Sequence, residues 1–105
     1  MNGRGTVIAV VVACGGPWLP VATAIDATRA SARWPETTVD QLNHGRTLLV
    51  RRCGNCHQPP SPAARTADRW PADVADMAAR AGLRTGEREL INRYLAAFAR
   101  DQVTR

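Results

Sequence analysis

The sequence predicts a small all-helical domain, and two observations support this fold class. Three segments carry apolar residues at the spacing of one helical face, and each segment has a capping or stop residue at an end. No segment alternates apolar and polar residues as a half-buried strand does. The chain has 105 residues, which is enough for one small domain and too few for two.

The first predicted helix covers residues 39–52, and either Thr37 or Thr38 can cap its start. Its apolar face contains Val39, Leu42, Leu49, Val50 and Cys53. A proline-rich loop follows at residues 58–62, because proline lacks the backbone N–H group that a helix requires.

Two further helices are predicted in the second half of the chain. One has Pro71 in its first turn and Gly82 as its stop; its apolar face contains Val74, Met77, Ala78 and Ala81. The other is capped by Thr85 and extends to about Arg100; its apolar face contains Leu90, Ile91, Tyr94, Leu95 and Phe98.

The N-terminal residues differ in composition from the rest of the chain. Arg4 is the only charged residue before Asp26, an apolar run covers residues 6–14, and Ala22-Thr23-Ala24 follows. A positive charge, an apolar run and a small-x-small sequence are typical of a secretory signal peptide. We therefore expect a signal peptide at residues 1–24, an N-terminal arm at residues 25–36 and the folded domain at residues 37–105.

Two alternatives to this cleavage remain open, and both attach the chain to a membrane. The sequence Val11-Val12-Ala13-Cys14 resembles a bacterial lipobox, in which Cys14 would be lipidated and become the first residue. Residues 6–25 could instead be retained as an anchor, since about 20 apolar residues span a bilayer. Pro17 and Pro20 oppose an unbroken helix there. All three possibilities place the domain outside the cytoplasm.

Charge and composition limit the possible functions. The chain has 14 arginines, no lysine, nine acidic residues and a net charge of +5, but the arginines are scattered and form no basic block. We therefore expect no nucleic-acid partner. With five aromatic residues, the core is thin and needs a metal, a disulfide or a cofactor to stabilise it.

The motif Cys53-Gly54-Asn55-Cys56-His57 has the C-x-x-C-H spacing that attaches a c-type haem. Two thiols three residues apart lie on the same side of a helical turn, so each can form a thioether with one edge of the porphyrin. His57 can then bind the iron as an axial ligand. A Cys53–Cys56 disulfide and a zinc site that includes His44 are the alternatives.

The second axial ligand is expected to be Met77, the one methionine that remains after residues 1–24 are removed. Methionine opposite histidine is the ligation of cytochromes c. Plain packing on the second predicted helix is the alternative role of Met77. His44 is the other candidate ligand.

These residues resemble the small bacterial class I cytochromes c, over residues 37–98. The resemblance includes Gly45-Arg46 before the motif, Trp70 seven residues before Met77, and Ile91-x-x-Tyr94-Leu95 in the last helix. It implies a cytochrome c fold of three main helices around one covalently attached haem, in which Gly45 faces Tyr94 where two helices cross. The Trp-x6-Met spacing is also similar to cytochrome subunits of periplasmic dehydrogenases.

The resemblance implies electron transfer in the periplasm, by a mobile carrier or a dehydrogenase subunit, and no enzymatic activity of the chain itself. Arg65, Arg69 and Trp70 are, by position, the candidates to bind the haem propionates. The implied partner is a dehydrogenase catalytic subunit, a terminal oxidase or another cytochrome, and Arg51 and Arg52 could steer it. A five-coordinate haem sensor or peroxidase-like enzyme, and a colourless disulfide domain, are the alternative functions.

Overall fold

A computed structural model of the protein describes residues 19–53 and 59–102. Within these ranges the chain is helical and contains no strand, which confirms the predicted all-helical class. The described residues form four α-helices, which are α1 (Ala24–Ala30), α2 (Val39–Leu48), α3 (Trp70–Ala81) and α4 (Thr85–Ala97). A π-helical turn (Leu49–Cys53) extends α2, and a short 3₁₀ turn (Pro62–Ala64) precedes α3. None of the helices in the described ranges is both long and apolar enough to cross a membrane.

Helix α4 is the centre of the domain, because α1, α2, α3 and the 3₁₀ turn all pack against it. Its side chains Ile91, Tyr94 and Leu95 are almost completely buried. They meet Leu42 and Leu49 from the α2 side and Val74 and Trp70 from α3 in one continuous core. Burial of apolar side chains is the main favourable contribution to folding of such a domain.

Gly45 of α2 lies directly against the backbone of α4. A β-carbon placed on Gly45 would overlap the carbonyl oxygen of Leu90, and would lie 2.9 Å from the Leu90 carbonyl carbon and 3.0 Å from Cβ of Tyr94. Glycine is therefore required here for the two helix backbones to come together. The predicted contact of Gly45 with Tyr94 is confirmed.

The helix boundaries follow local capping signals. Thr38 caps α2, because its Oγ1 accepts from the Gln41 N–H at 3.1 Å while the Gln41 side chain accepts from the Thr38 N–H at 3.1 Å. Gly82 ends α3 in the left-handed conformation, with φ of 69°. The stop at Gly82 is confirmed, whereas the predicted cap at Thr85 is wrong by one residue. Arg84 precedes α4, and its N–H donates to Glu87 Oε1 at 3.1 Å.

The π-helical turn changes which side chains are buried after α2. Leu49 and Cys53 are buried, but Val50 is 45% exposed, so its predicted place on the apolar face is wrong. A π turn contains more residues than an α turn, which shifts the angular positions of the residues within it.

The predicted N-terminal arm contains helix α1, which packs on α4 and α2. Ala27 and Ala30 form its buried face. Because both side chains are small, the sequence shows only weak helical periodicity in this segment. The start of α1 is fixed by Asp26, whose carboxylate accepts from the Thr23 N–H at 2.8 Å and from the Thr23 hydroxyl at 3.0 Å. The expected cleavage after Ala24 falls after the first residue of this helix and stays a prediction.

We predict that Gly45→Ala destabilises the protein. Alanine would favour an isolated helix by about 1 kcal/mol, but the added methyl group overlaps α4 and has no space to enter. Overpacking of this kind costs about 1–3 kcal/mol, and the overlap with a backbone carbonyl places Gly45 near the upper end of that range. After the gain in helix propensity, a net loss of about 2 kcal/mol lowers Tm by about 8 °C or more in a domain of this size. Thermal unfolding followed by circular dichroism measures the change.

The matched control for this prediction is Gly86→Ala in the first turn of α4. A β-carbon on Gly86 meets no atom within 4 Å, so Tm should stay the same or rise slightly. An equal Tm for Gly45→Ala and the wild type would contradict the close helix contact.

Candidate functional site

The C-x-x-C-H motif begins where the π-helical turn ends. Cys53 is the last residue of that turn and is 5% exposed. Cys56 and His57 lie outside the described residues, so their predicted roles stay predictions. Two residues, Gln58 and Pro59, lie between His57 and Pro60, so the Cα atoms of His57 and Pro60 are at most about 11 Å apart in any conformation.

A cavity of about 290 Å³ lies between the loop that follows the motif and helix α3. Pro60 and Ser61 of the loop line one side, and Trp70 and Met77 of α3 line the other. Met77 lies about one helical turn after the buried Val74, and it is partly buried at the edge of the core. The predicted ligand Met77 and the predicted loop therefore meet at one cavity.

The proposed propionate-binding residues occupy different places around this cavity. Arg65 and Trp70 line it, whereas Arg69 is exposed and does not belong to its lining. The Trp70 indole N–H donates to the Pro62 carbonyl oxygen at 3.0 Å, and Arg65 Nε donates to Asp73 Oδ2 at 2.9 Å. Both groups already have partners within the protein. These two bonds hold the 3₁₀ turn and the residue that follows it, Arg65, against α3.

His44, the alternative ligand, is exposed on helix α2 and does not line the cavity. Gly45, the next residue, faces α4. No group of three or more His, Cys, Asp or Glu side chains that could hold a metal is present in residues 19–53 and 59–102.

An ion pair lies beside Cys53 and connects the π-helical turn to helix α4. Arg52 donates to Glu87 Oε2 at 3.0 Å, and Glu87 Oε1 also accepts the Arg84 N–H. The hydrogen bond from the Arg84 backbone, followed by the bond from Arg52, lowers the pKa of Glu87. The ion pair fixes the chain next to the first cysteine of the motif.

Sequence reasoning missed the two ion pairs Arg52–Glu87 and Arg65–Asp73. The first joins residues 35 positions apart and the second joins residues eight positions apart across a loop. Neither has the i,i+3 or i,i+4 spacing that identifies a pair within one helix, so the sequence carries no local signal for them.

The described residues contribute two of the four donors that a c-type haem would need. Cys53 provides a thiol at the end of a helical turn, and Met77 provides a thioether in a cavity wall. The cavity volume of about 290 Å³ lies just below the range of about 300–1,000 Å³ for small-molecule and cofactor pockets.

Comparison of the chain with family models, curated proteins and solved structures finds no match. The functional argument therefore depends on the residues themselves.

The lowered pKa of Glu87 predicts that its ion pair stabilises the fold at neutral pH and is lost in acid. A carboxyl whose folded pKa lies below its ordinary value of 4.5 stabilises the protein above that value, and the effect disappears as the pH falls through the folded pKa. Glu87→Gln should therefore lower Tm at pH 7, and the difference from the wild type should shrink below about pH 4.5.

Asp76→Asn serves as the control for loss of one negative charge, because no ion pair of Asp76 is found in the described part of the chain. A Glu87→Gln difference that stays constant from pH 7 to pH 3 would contradict the prediction.

Proposed function

We propose that this protein is a monohaem c-type cytochrome of the periplasm that transfers electrons, with a small cytochrome c fold. The observation that carries the proposal is the C-x-x-C-H motif at the end of the helix whose Gly45 packs against Tyr94 of the last helix. This combination of motif and helix crossing is similar to that of the small bacterial class I cytochromes c. The protein would act as a mobile carrier or as the cytochrome subunit of a dehydrogenase.

In this proposal, Cys53 and Cys56 would hold the haem covalently, and His57 and Met77 would bind its iron. When bound, haem c supplies reversible one-electron exchange. Met77 would contribute a sulfur ligand from the cavity wall and would thereby occupy the place at which a substrate could otherwise bind. The buried side chains of Leu49, Val74 and Leu95 exclude water from the neighbouring core, and a low dielectric disfavours added charge.

The partner would be a redox protein that docks near the haem-attachment motif. Arg51 is exposed beside the motif, whereas Arg52 is paired with Glu87. Steering of an acidic partner would therefore depend mainly on Arg51, since the charge of Arg52 is partly compensated.

The first test is intact-mass analysis of the protein purified from its native envelope fraction. We expect one haem bound covalently to the chain, because both thioethers survive denaturation. A mature chain of haem-free mass with Cys53 and Cys56 oxidised to a disulfide would reject the proposal and support the alternative of a colourless disulfide domain.

The second test separates ligation by Met77 from packing by Met77. Met77→Leu retains an apolar side chain of similar size, and such exchanges usually cost less than about 1.5 kcal/mol, but leucine has no sulfur. Met77→Leu and Met77→Ala should both lose the low-spin ferric absorption spectrum, and both should bind carbon monoxide in the ferrous state.

Val74→Ala is the control for packing on the same helix and should keep the low-spin spectrum. An unchanged spectrum in Met77→Leu would exclude Met77 as a ligand. Carbon monoxide binding to the native wild-type protein would favour the five-coordinate sensor or peroxidase-like alternative.

A further inference from the structure

Residues 19–23, which we term the N-terminal strap, lie against helices α2 and α4. Leu19 is 7% exposed and Ala22 is 4% exposed, and both belong to the continuous hydrophobic core. The strap leads directly into α1, and its last residue, Thr23, bonds to Asp26 in the first turn of that helix. The strap is therefore buried in the core of the folded domain and is continuous with its first helix.

Three side chains of the main helices bind the backbone of the strap. Asn43 of α2 bonds to Ala22 in both directions, with its Oδ1 accepting from the Ala22 N–H at 2.8 Å and its Nδ2 donating to the Ala22 carbonyl oxygen at 3.2 Å. Arg46 Nε donates to the Leu19 carbonyl oxygen at 2.8 Å. The Tyr94 hydroxyl donates to the Pro20 carbonyl oxygen at 2.6 Å.

Tyr94 connects the N-terminal strap to the crossing of α2 and α4. Its Cβ packs at the Gly45 crossing, while its hydroxyl reaches the strap. Burial raises the pKa of Tyr94, so the hydroxyl stays a protonated donor at any physiological pH. A cut after Ala24 would remove the acceptors of Tyr94, Asn43 and Arg46 together and would expose the core position that Leu19 fills.

We propose that the N-terminal strap is retained in the mature protein, so that the peptide bond cut during export lies before Leu19. This inference rests on the proposed function, because it assumes that the chain is exported. Signal cleavage after Ala24 would separate the strap from the domain that binds it. A cut before Cys14, at the lipobox-like sequence, leaves the strap in place.

The decisive experiment uses the full chain, exported by a bacterium that matures c-type cytochromes and purified from the envelope fraction. Intact mass and N-terminal peptide mapping should show that the mature chain contains residues 19–24. A mature chain that begins at Ile25 would overturn the inference.

The same mass spectrum distinguishes failure of this inference from failure of the proposed function. A haem-loaded chain that begins at Ile25 contradicts the strap and leaves the cytochrome proposal intact. A haem-free chain that contains residues 19–24 contradicts the cytochrome proposal and leaves the strap intact.

A second measurement tests whether the strap is docked in the mature protein. Asn43→Ala should raise the unfolding equilibrium constant about tenfold, since it breaks two hydrogen bonds to Ala22. Helix propensity favours alanine over asparagine, so any loss of stability comes from the broken contacts. His44→Ala, at the exposed neighbouring position of α2, is the matched control. Equal stability of Asn43→Ala and His44→Ala would overturn the docking of the strap.

Discussion

The contact of Gly45 with helix α4 is the constraint on which the other helix positions depend. Because Gly45 has no side chain, the backbones of α2 and α4 touch directly at this point. The distance between the two helices is therefore set by the main chain and not by side chains that can change conformation. Leu42 and Leu49 then pack on either side of the crossing. The π-helical turn continues from α2, so the position of Cys53 is fixed relative to α4 by the same contact.

Helix α4 also connects the remaining parts of the domain through its last turns. Tyr94 and Phe98 pack with ring centroids 5.1 Å apart, and the guanidinium of Arg29 lies 5.9 Å from the Phe98 ring centroid. Arg29 donates in addition to the Ala97 carbonyl oxygen at 2.9 Å, which satisfies one of the free carbonyl groups at the helix end. Helix α1 is thereby held at the C-terminal end of α4 by aromatic and polar contacts together.

Much of the fold could be predicted from local sequence signals, and the failures have physical reasons. Thr38 and Gly82 mark helix ends by their own chemistry, and Gly45 was expected opposite Tyr94 from the family resemblance. Helix α1 was missed because its buried face consists of Ala27 and Ala30, small residues that hardly distinguish a helix from a loop. Its stability comes from packing on α4, which no local pattern encodes.

Of the candidate site, only the possible ligand residues could be predicted from the sequence. The spacing of the cysteines and the single remaining methionine identify possible ligands from the sequence, whereas the cavity depends on how the loop folds back on α3. That fold is held by the Trp70–Pro62 hydrogen bond and the Arg65–Asp73 ion pair. Such contacts arise from tertiary structure, so the sequence alone could not assign Arg65 and Trp70 to partners within the protein.

The π-helical turn before Cys53 has a consequence for how this helix tolerates insertions and deletions. A π turn is equivalent to one extra residue accommodated in an α-helix. Loss of one residue from Leu49–Cys53 could therefore be absorbed by conversion of this turn to regular α-helix, which would leave the following residues in nearly the same direction relative to Gly45. Loss of one residue from α2 itself would instead rotate them by about 100°. The π-helical turn is thus the part of this helix in which a change of length least alters the direction in which the chain enters the C-x-x-C-H motif.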